Sequence, residues 1–600
     1  MKRFRLLTLL FFLLGFAGVY AQEIAVQGVI VDKKSGEPLI GATVLQKGTT
    51  NGTITDYDGL FRISVPRNSV LAVSYIGYVS QEITATGTAK LRIELSQDTE
   101  ILEEVIVVGY GSQKSKDMTA PVSSIKGSEL TKQTTANAMS ALQGKMSGVQ
   151  IVNNGAPGAG PSVKIRGVGS IGDYANPLYV VDGVFVDNID FLSSGDIEDL
   201  TVLKDASAAA IYGVRAANGV VLVTTKKGKL DQTTVNYEGY AGIQIPVNVM
   251  SLASMPQYVE LVNEANANTT GYVPKSTSMY PASTDWYSTL LRNAMMHSHA
   301  VDVSGANEKT SYSVGLNYFY QEGIMNAKND YDRFNFRARV DQKVNNWFSM
   351  GFNTVISDYK KNNANNNAFF SAFVNPPVYN IYDDNNTEAY PVKFGSPQTY
   401  GFGNQYGNPY AAAYYNNSKE DGMKLIFSTF AEFTLIPEKL KFKTSFNEDM
   451  GYWISQNYTP EFNVGGSQGV RKSSLSKTFG VSTKQIIDNL LTYNDRVDAH
   501  TFSVMLGQST RTEKQSWMTG TAQDVPGYDD QSIYLTTGSF RDRNANDGGL
   551  RYNGLSFFTR GTYNYADRYL ATFTFRADAS SKYQEKGLFP FYRFRMDSDR

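Results

Sequence analysis

The sequence of 600 residues contains no cysteine and only three histidines. Disulfide bonds and thiol chemistry are thereby excluded, and three histidines with no marked nucleophile do not form a recognisable hydrolytic triad. Basic and acidic residues are nearly balanced at 56 and 57, so the basic footprint of a nucleic-acid-binding protein is also lacking. We therefore predict no enzyme, no cofactor and no nucleic-acid partner.

Beyond residue 21 no apolar run is as long as a transmembrane helix. A membrane-embedded form of the chain would have to be a β-barrel, because only helices and closed barrels satisfy the backbone in lipid. The start, MKRFRLLTLLFFLLGFAGVYAQ, has charged residues, an apolar stretch and a small-residue cleavage site. It predicts a secretory signal peptide over residues 1–21, and without a following cysteine no lipid anchor is expected.

Aromatic residues and glycine are abundant, with 38 Tyr, 33 Phe and 52 Gly, which suits a β-rich chain with many turns. Residues 22–98 hold short β-branched runs such as QGVIVD, LFRISV and AKLRIEL, separated by turn residues. We predict a mainly β chain that begins with a transthyretin-like β-sandwich of about seven strands. Asp58-Gly59 is the signal of a two-residue hairpin turn within it.

Residues 118–230 mix helix and strand signals and predict a compact α+β domain. Thr135 is a candidate cap for a helix over residues 136–146, and Asp205 for a helix over residues 206–212 that Gly213 ends. Strands are predicted at 163–166, 178–181 and 220–225.

From about residue 235 apolar and polar residues alternate. In SYSVGLNYFYQ, Leu316 and Tyr318 share a face that Asn317 does not, and in RFNFRARVD the phenylalanines alternate with Arg333, Asn335, Arg337 and Arg339. The same period recurs at 348–356, 440–447 and 569–578. Strands of about nine to eleven residues with one apolar face predict an antiparallel transmembrane β-barrel over residues 235–600.

A soluble sandwich also alternates. The barrel is favoured because aromatic residues recur near the strand ends and because the connections are asymmetric. VNNW is short, whereas the stretch 359–422 is longer than a compact soluble domain usually tolerates.

Between the first two domains lies EEVIVVGYGSQKSKD, residues 103–117. Its apolar run Val105 to Val108 is β-prone, yet residues 99–117 otherwise read as a linker. The run either completes the N-terminal sandwich or serves as an exposed strand that a partner can pair with.

The sequence LYVVDGVFVDNIDFLSSGDIEDLTVLKDASAAAIYGVRAANGVVLVTTKKGK, residues 178–229, closely resembles the plug signature of SusC-like TonB-dependent outer-membrane transporters. Residues 103–117 resemble the segment before the plug in that SusC/RagA branch, which includes the TonB box. Residues 27–95 resemble its carboxypeptidase-regulatory-like domain, and EKTSYSVGLNYFYQEGI its early barrel strands. The resemblance extends from residue 27 to about residue 590.

The resemblance implies a Gram-negative cell outer membrane protein with its N-terminal domain in the periplasm and a 22-stranded barrel in the outer-membrane lipid. It implies TonB, driven by its inner-membrane motor proteins, and a SusD-like surface lipoprotein as partners. The cargo would be a large nutrient, a glycan or oligosaccharide sooner than a peptide. The TonB box that pairs with TonB would comprise Glu104, Val105, Ile106, Val107, Val108, Gly109, Tyr110 and Gly111.

Two alternative interpretations of the function remain open. A receptor that signals inward would usually carry a secretin-like domain, and residues 22–95 show none. About ten or eleven strands are predicted between 235 and 580, half of what a 22-stranded barrel needs, and the alternation stops near residue 590. Because one deleted base could restore an alternating strand there, the second alternative is a frameshifted or partial, non-transporting product of a longer gene.

Three motifs suggest other chemistry. The run of residues 167–172 matches GxGxxG, but the strand-like LYVV rather than a helix follows it. His297 and His299 could share a strand face, with no third metal ligand evident. We predict no metal site. The Asn-, Tyr- and Phe-rich stretch 362–417 is a candidate sugar-binding surface, in which the sequence singles out no residue.

Overall fold

The computed structural model describes residues 23–49, 51–75, 78–87, 90–96, 105–108, 111–114, 122–133, 135, 137–170, 175–230, 233–403, 407–527 and 532–582. The predicted signal peptide and the irregular segment after residue 590 lie outside this range. The described residues fall into two units, the first with residues up to 106 and those in 112–118, the second with those in 107–111 and from 119 onward. No helix among them is long and apolar enough to span a bilayer.

The first unit is a sandwich of seven short strands, as predicted. The strands are β1 (Glu23–Asp32), β2 (Thr43–Gln46), β3 (Gly52–Ile54), β4 (Leu60–Pro66), β5 (Val70–Ser74), β6 (Gln81–Thr84) and β7 (Leu91–Leu95). They form two sheets in the orders β4-β1-β7 and β3-β2-β5-β6. Alternate apolar side chains, among them Val26, Val44 and Ile63, fill a core between the sheets.

The predicted hairpin at Asp58-Gly59 is wrong. A tight turn does occur there, with Gly59 at φ +69° and Asp56 accepting hydrogen bonds from the backbone of Asp58 and Leu60. It joins β3 to β4, however, and these strands belong to different sheets. The sequence indicated the turn, but the packing of the two sheets decided which strands it connects.

Strands β8 (Val105–Val108) and β9 (Gly111–Lys114) follow and form a separate two-stranded sheet. Strand β8 therefore belongs to neither sheet of the sandwich.

Residues 122–230, called the plug domain below, contain a five-stranded sheet and a small hairpin. The strands are β10 (Val122–Lys126), β11 (Val149–Val152), β12 (Ser162–Ile165), β13 (Leu178–Val181), β14 (Val184–Val186), β15 (Ile197–Leu203) and β16 (Val220–Thr225). The sheet order is β10-β15-β16-β13-β14, with β13 parallel to β16, while β11 pairs with β12. Short helices α1 (Gly127–Leu130) and α2 (Ala206–Ala209) and 3₁₀ turns at Ser140–Leu142, Ser194–Asp196 and Ala210–Ala216 complete the domain.

The helix predicted over residues 136–146 is wrong. Within the described residues only the 3₁₀ turn Ser140–Leu142 forms there. Gly144 has φ +76°, a left-handed conformation that interrupts a helix. The prediction near residue 206 is closer, because α2 continues into the 3₁₀ turn Ala210–Ala216 and Gly213 has φ +73°.

After the plug domain, eleven strands form one antiparallel sheet, which we call the wall. The wall strands are β17 (Thr234–Gln244), β18 (Ala294–Ala306), β19 (Thr310–Glu322), β20 (Asp330–Lys343), β21 (Phe348–Asn363), β22 (Asn417–Ile436), β23 (Leu440–Thr459), β26 (Ser474–Val497), β27 (His500–Gln523), β28 (Asn544–Tyr565) and β29 (Tyr569–Ser580). Between β23 and β26 lie two short strands outside the wall, β24 (Phe462–Gly465) and β25 (Gln468–Val470). The small β24–β25 hairpin is separate, and the other strands pair in sequence order. Within the described part of this region, the predicted ten or eleven strands are confirmed as eleven.

The wall strands are longer than predicted, up to 24 residues in β26 and β27. On β27 the apolar residues of one face, such as Val504 and Leu506, lie near the short turn before the strand, while Thr512 and Lys514 on the same face lie further along. The alternation of apolar and polar residues in the sequence therefore predicted only the part of each strand that has an apolar face. Pairing with neighbouring strands extends the ladder beyond it.

The two ends of the wall differ. Short turns, residues 307–309, 344–347, 437–439, 498–499 and 566–568, close one end. At the other end the connections are residues 245–293, 323–329, 364–416, 460–473 and 524–543. The long connections carry helices α3 (Met255–Asn266), α4 (Trp286–Leu290), α5 (Asn367–Val374) and α6 (Pro409–Tyr414) and 3₁₀ turns at Thr277–Met279, Pro397–Tyr400, Leu535–Thr537 and Phe540–Asp542.

Candidate functional site

The wall has one polar, buried face and one apolar, exposed face. In β19 the apolar Leu316 is 45% exposed, whereas the adjacent Asn317 is 2% exposed. In β20 Phe334 is 48% exposed, while its neighbours Arg333 and Asn335 are almost completely buried. A water-soluble sheet buries its apolar face, so this inverted arrangement is typical of a sheet that meets lipid outside and polar material inside.

The buried polar face, called the inward face, contacts the plug domain. Contacts come from strands spread across the wall, including Tyr240 on β17, Gln321 on β19, Lys484 on β26 and Arg576 on β29. A flat sheet with strands about 4.8 Å apart could not reach one small domain from so many strands. The wall therefore curves around the plug domain, and this interface is the candidate functional site.

Arg337 on β20 is completely buried at the interface. Its Nε donates to Asp196 Oδ1 of the plug domain at 3.0 Å, and its Nη2 donates to Asp302 Oδ1 on β18 at 2.7 Å. Nη1 donates to Ser313 Oγ and to the carbonyl of Lys226. The guanidinium is fully buried and bonded through all three nitrogens, so it joins the plug domain to strands β18 and β19.

A second contact is built on the turn between β13 and β14. Asp182 there has φ +47° and is followed by Gly183 at φ +91°, which directs its carboxylate at the wall. One oxygen accepts from Arg339 on β20 at 3.2 Å, and the other accepts from Asn353 on β21 at 2.6 Å and from Thr225. The tight turn, in the sequence VVDG, is thus held by two wall strands.

The loop between β14 and β15 provides further contacts. Asn335 Nδ2 donates to the carbonyl of Phe191 at 2.8 Å, and Arg333 donates to the carbonyl of Asp190. Burial raises the pKa of the Asp190 carboxyl, which accepts a hydrogen bond from Asn137. All four alternate inward residues of β20 from 333 to 339 therefore bind the plug domain.

On the other side of the plug domain the described ion pairs to the wall include more exposed side chains. Arg215 Nη1 lies 3.8 Å from Glu513 Oε1 on β27, and Arg576 on β29 donates to the carbonyl of Ile211 at 2.5 Å. The side chains of Arg215 and Glu513 are 33% and 24% exposed. Lys484 on β26 pairs with Asp187, whose side chain is largely exposed.

The residues predicted for the TonB box are only partly described. Val105, Ile106, Val107 and Val108 form strand β8, and Gly111 begins β9. Glu104, Gly109 and Tyr110 lie outside the described residues.

The long connections form an ordered lobe rather than loose loops. Trp286 of α4 is fully buried, packs on Tyr379 with ring centroids 4.9 Å apart and donates to the carbonyl of Pro376. Asn408 caps α6 with its side-chain oxygen and donates to two carbonyls with its amide. Burial, followed by a hydrogen bond to Asp383, raises the pKa of Tyr400 to about 12. The lobe is therefore preorganised at one end of the wall.

The structure also places the other motifs of the sequence. Among the described residues, the glycine-rich run that begins at Gly167 is followed by strands β13 and β14. His297 and His299 lie on the exposed face of β18, where His299 Nδ1 is 2.9 Å from the hydroxyl of Tyr237. The part of the chain that the structure describes contains no group of three or more side chains arranged to hold a metal ion.

Comparisons with known proteins agree with this architecture. Residues 26–107 match the CarboxypepD_reg-like domain, and residues 114–220 match the TonB-dependent Receptor Plug Domain. The chain is 32% identical over 604 residues to the TonB-dependent receptor SusC of Bacteroides thetaiotaomicron, covering 95% of this chain and 58% of that protein. It is 31% identical to the TonB-dependent receptor P3 of Formosa agariphila, covering 98% and 58%.

Among solved structures, the RagAB peptide importer in its open-open state matches with a TM-score of 0.69 at 22% identity, covering 81% of this chain and 57% of that one. The RagAB peptide transporter matches with a TM-score of 0.67 at 23% identity, covering 78% and 55%. The chain thus spans somewhat over half the length of the relatives it matches. The order of sandwich, plug and wall, together with these matches, shows that the chain belongs to the SusC-like TonB-dependent receptors, a family of outer-membrane β-barrel proteins.

Proposed function

We propose that the chain forms the N-terminal domain, plug and part of the barrel of an energy-coupled importer of a large nutrient across the outer membrane. The observation that carries the proposal is the plug domain bound to the polar face of a wall whose other face is apolar. Such a plug blocks passive flow, so passage requires work on the plug. The outer membrane has no nucleotide or ion gradient to supply it, so the work must come from a partner attached elsewhere.

The proposed handle for that partner is the TonB box, residues 104–111, with TonB and its inner-membrane motor proteins as the energy source. An extended strand offers backbone groups along its whole length, and a partner strand can pair with them without a deep pocket. Strand β8 has four β-branched residues and lies outside the sandwich sheets, which suits this role. The same proposal places the end of the N-terminal sandwich at residue 98, the end of the TonB box and linker at residue 117, and the end of the plug domain at residue 230.

Replacing Val107 with proline is expected to lower nutrient uptake at least about tenfold, because proline removes a backbone N–H that the paired partner strand would use. The matched control is Val107→Thr, which keeps a β-branched side chain and the backbone N–H, and uptake should stay near the parental level. Uptake of labelled nutrient by cells expressing the intact protein is the measurement. Deletion of residues 103–111 should match the proline variant. Unchanged import in both would end the handle proposal.

We assign the cargo to neutral oligosaccharides rather than peptides, with a SusD-like lipoprotein as the partner at the cell surface. The connection of residues 364–416 has only four charged residues, Asp383, Asp384, Glu388 and Lys393, among many tyrosines and asparagines. Aromatic faces beside amides suit the apolar faces and hydroxyl rims of sugars. The RagAB complex is described as a peptide importer, so a peptide remains the competing cargo.

Tyr382 and Tyr414 are the exposed rings on which this assignment can be tested, each 53% exposed within the ordered lobe. Changing either to alanine should weaken oligosaccharide binding about three- to tenfold, the range expected when one aromatic contact is lost. Tyr57→Ala, on an exposed ring of the N-terminal sandwich, is the control and should leave binding unchanged. Calorimetry with a neutral oligosaccharide and with a peptide of similar size would measure both. Weaker peptide binding with intact sugar binding would reverse the assignment.

A further inference from the structure

The contacts between the plug domain and the wall are unevenly distributed. Strand β20 binds the plug residues between 182 and 196 through Arg333, Asn335, Arg337 and Arg339. These bonds are buried: the side chains in the Arg337–Asp196 pair are 1% and 7% exposed. Asn353 of β21 adds a bond to the same region, and Val355 of β21 packs into the apolar core of the plug domain.

The opposite contact is made by the segment of residues 206–217. Its ion pair to the wall, Arg215–Glu513, spans 3.8 Å, and the Nη1 of Arg215 is buried there without a hydrogen-bond partner. Arg576 is bonded to a backbone carbonyl of the same segment. Gly213 interrupts this segment with a non-helical conformation, φ 73° and ψ −162°. The segment is therefore divided by a glycine, and the ion pair that joins it to the wall is longer than a hydrogen bond.

Charge pairs that are fully hydrogen-bonded and those that are not respond differently to a pulling force on the plug domain. Separating a buried, fully bonded guanidinium from its carboxylates leaves unpaired charges without water. Opening the Arg215–Glu513 contact breaks no hydrogen bond at Nη1 and instead gives that buried nitrogen access to water. A force on the plug domain should thus break the contacts of the 206–217 segment first. The contacts of β20 should break last.

We infer that β20 is the stationary attachment of the plug: its four inward side chains hold residues 182–196 against the wall during transport, while the 206–217 segment moves away from β27 and β29. Arg333, Asn335, Arg337 and Arg339 are thus positioning residues, which fix the side on which the passage opens. This inference rests on the proposed import function.

The absence of cysteine makes the inference testable with a cleavable bis-maleimide, since only introduced thiols react. One pair, Phe191→Cys with Asn335→Cys, tethers the plug domain to β20, where the two residues share a hydrogen bond. The other pair, Arg215→Cys with Glu513→Cys, tethers the 206–217 segment to β27. Uptake is measured before linking, after linking and after reductive cleavage of the linker, so each variant is its own control for folding.

The expected result is that the tether to β20 leaves at least half of the uptake of the unlinked variant. The tether to β27 should lower uptake at least fivefold and cleavage should restore it. Equal inhibition by both tethers, inhibition by neither, or inhibition by the β20 tether alone would each overturn the inference. Both pairs are also measured with Val107→Pro. If that change leaves uptake by the unlinked protein unchanged, the handle proposal fails, and if the unlinked protein takes up no nutrient, the import proposal fails; neither result depends on which tether inhibits.

A second measurement does not depend on uptake. Ala216 and Asn335 are both buried, at 4% and 1% exposure, and each can be replaced singly by cysteine. Ala216→Cys should react with a maleimide several times faster in energised cells than in cells whose handle carries Val107→Pro. Asn335→Cys should react equally slowly in both. Faster labelling at residue 335, or none at residue 216, contradicts the inference even if a variant transports poorly.

Discussion

Replacing Arg337 with methionine is expected to destabilise the folded protein by about 3–5 kcal/mol, the range for removing one partner from a buried charge network. Methionine fills much of the same volume, so the loss is mainly electrostatic. Asp196 and Asp302 would then be left facing each other without the guanidinium that lies 3.0 and 2.7 Å from them. Two buried carboxylates without a cation are costly because the interior cannot solvate them.

Thermal unfolding of the purified protein in detergent, followed by the mobility shift of the folded form on gels, would measure the loss. Lys441→Met is the matched control, since it removes a cation from a more exposed pair, Lys441–Glu432 at 3.0 Å, and should cost about 0–1 kcal/mol. The triple change Arg337→Met, Asp196→Asn and Asp302→Asn should recover much of the stability. A single change no worse than the control would show that Arg337 does not hold the interface together.

Replacing Leu316 with arginine is expected to cost about 2–4 kcal/mol, the range for a cation on the lipid face of a β-barrel near mid-membrane. Leu316 is 45% exposed and lies in the middle of β19, so in water the change should be almost neutral. The size of the stability change therefore indicates whether the apolar face of the wall contacts lipid or water.

Leu45→Arg is the control for this substitution, because Leu45 is 37% exposed on strand β2 of the N-terminal sandwich. It should change stability by about 0.5 kcal/mol or less. Both variants would be compared in lipid vesicles by urea unfolding. Equal effects at residues 45 and 316 would mean that the aromatic and aliphatic stripes of the wall do not face hydrocarbon, and the importer proposal would fail with that result.

Much of the wall could be predicted because its determinants are local. A period of two in RFNFRARVD is enough to place Phe334 and Arg337 on opposite faces, and the structure confirms that division. The seven-strand sandwich follows from short β-branched runs separated by turn residues, and its seven strands are confirmed.

The errors share one physical origin. The helix predicted at residues 136–146 had suitable side chains, but Gly144 adopts a left-handed conformation there and the backbone turns instead. The turn at Asp58-Gly59 formed, yet it joins strands of two different sheets. In both places the local sequence favoured the predicted element, but tertiary packing determined the structure that formed.

Alternation alone determined that this chain builds strands with an apolar side and a charged side, since neighbouring side chains on a strand point in opposite directions. Tertiary structure decided which groups the charged side meets. Arg337 and Asp196 are 141 positions apart in sequence, and no local pattern indicates that they touch. That pairing depends on the wall curving around the plug domain, where burial removes water and leaves the carboxylate as the partner of the guanidinium.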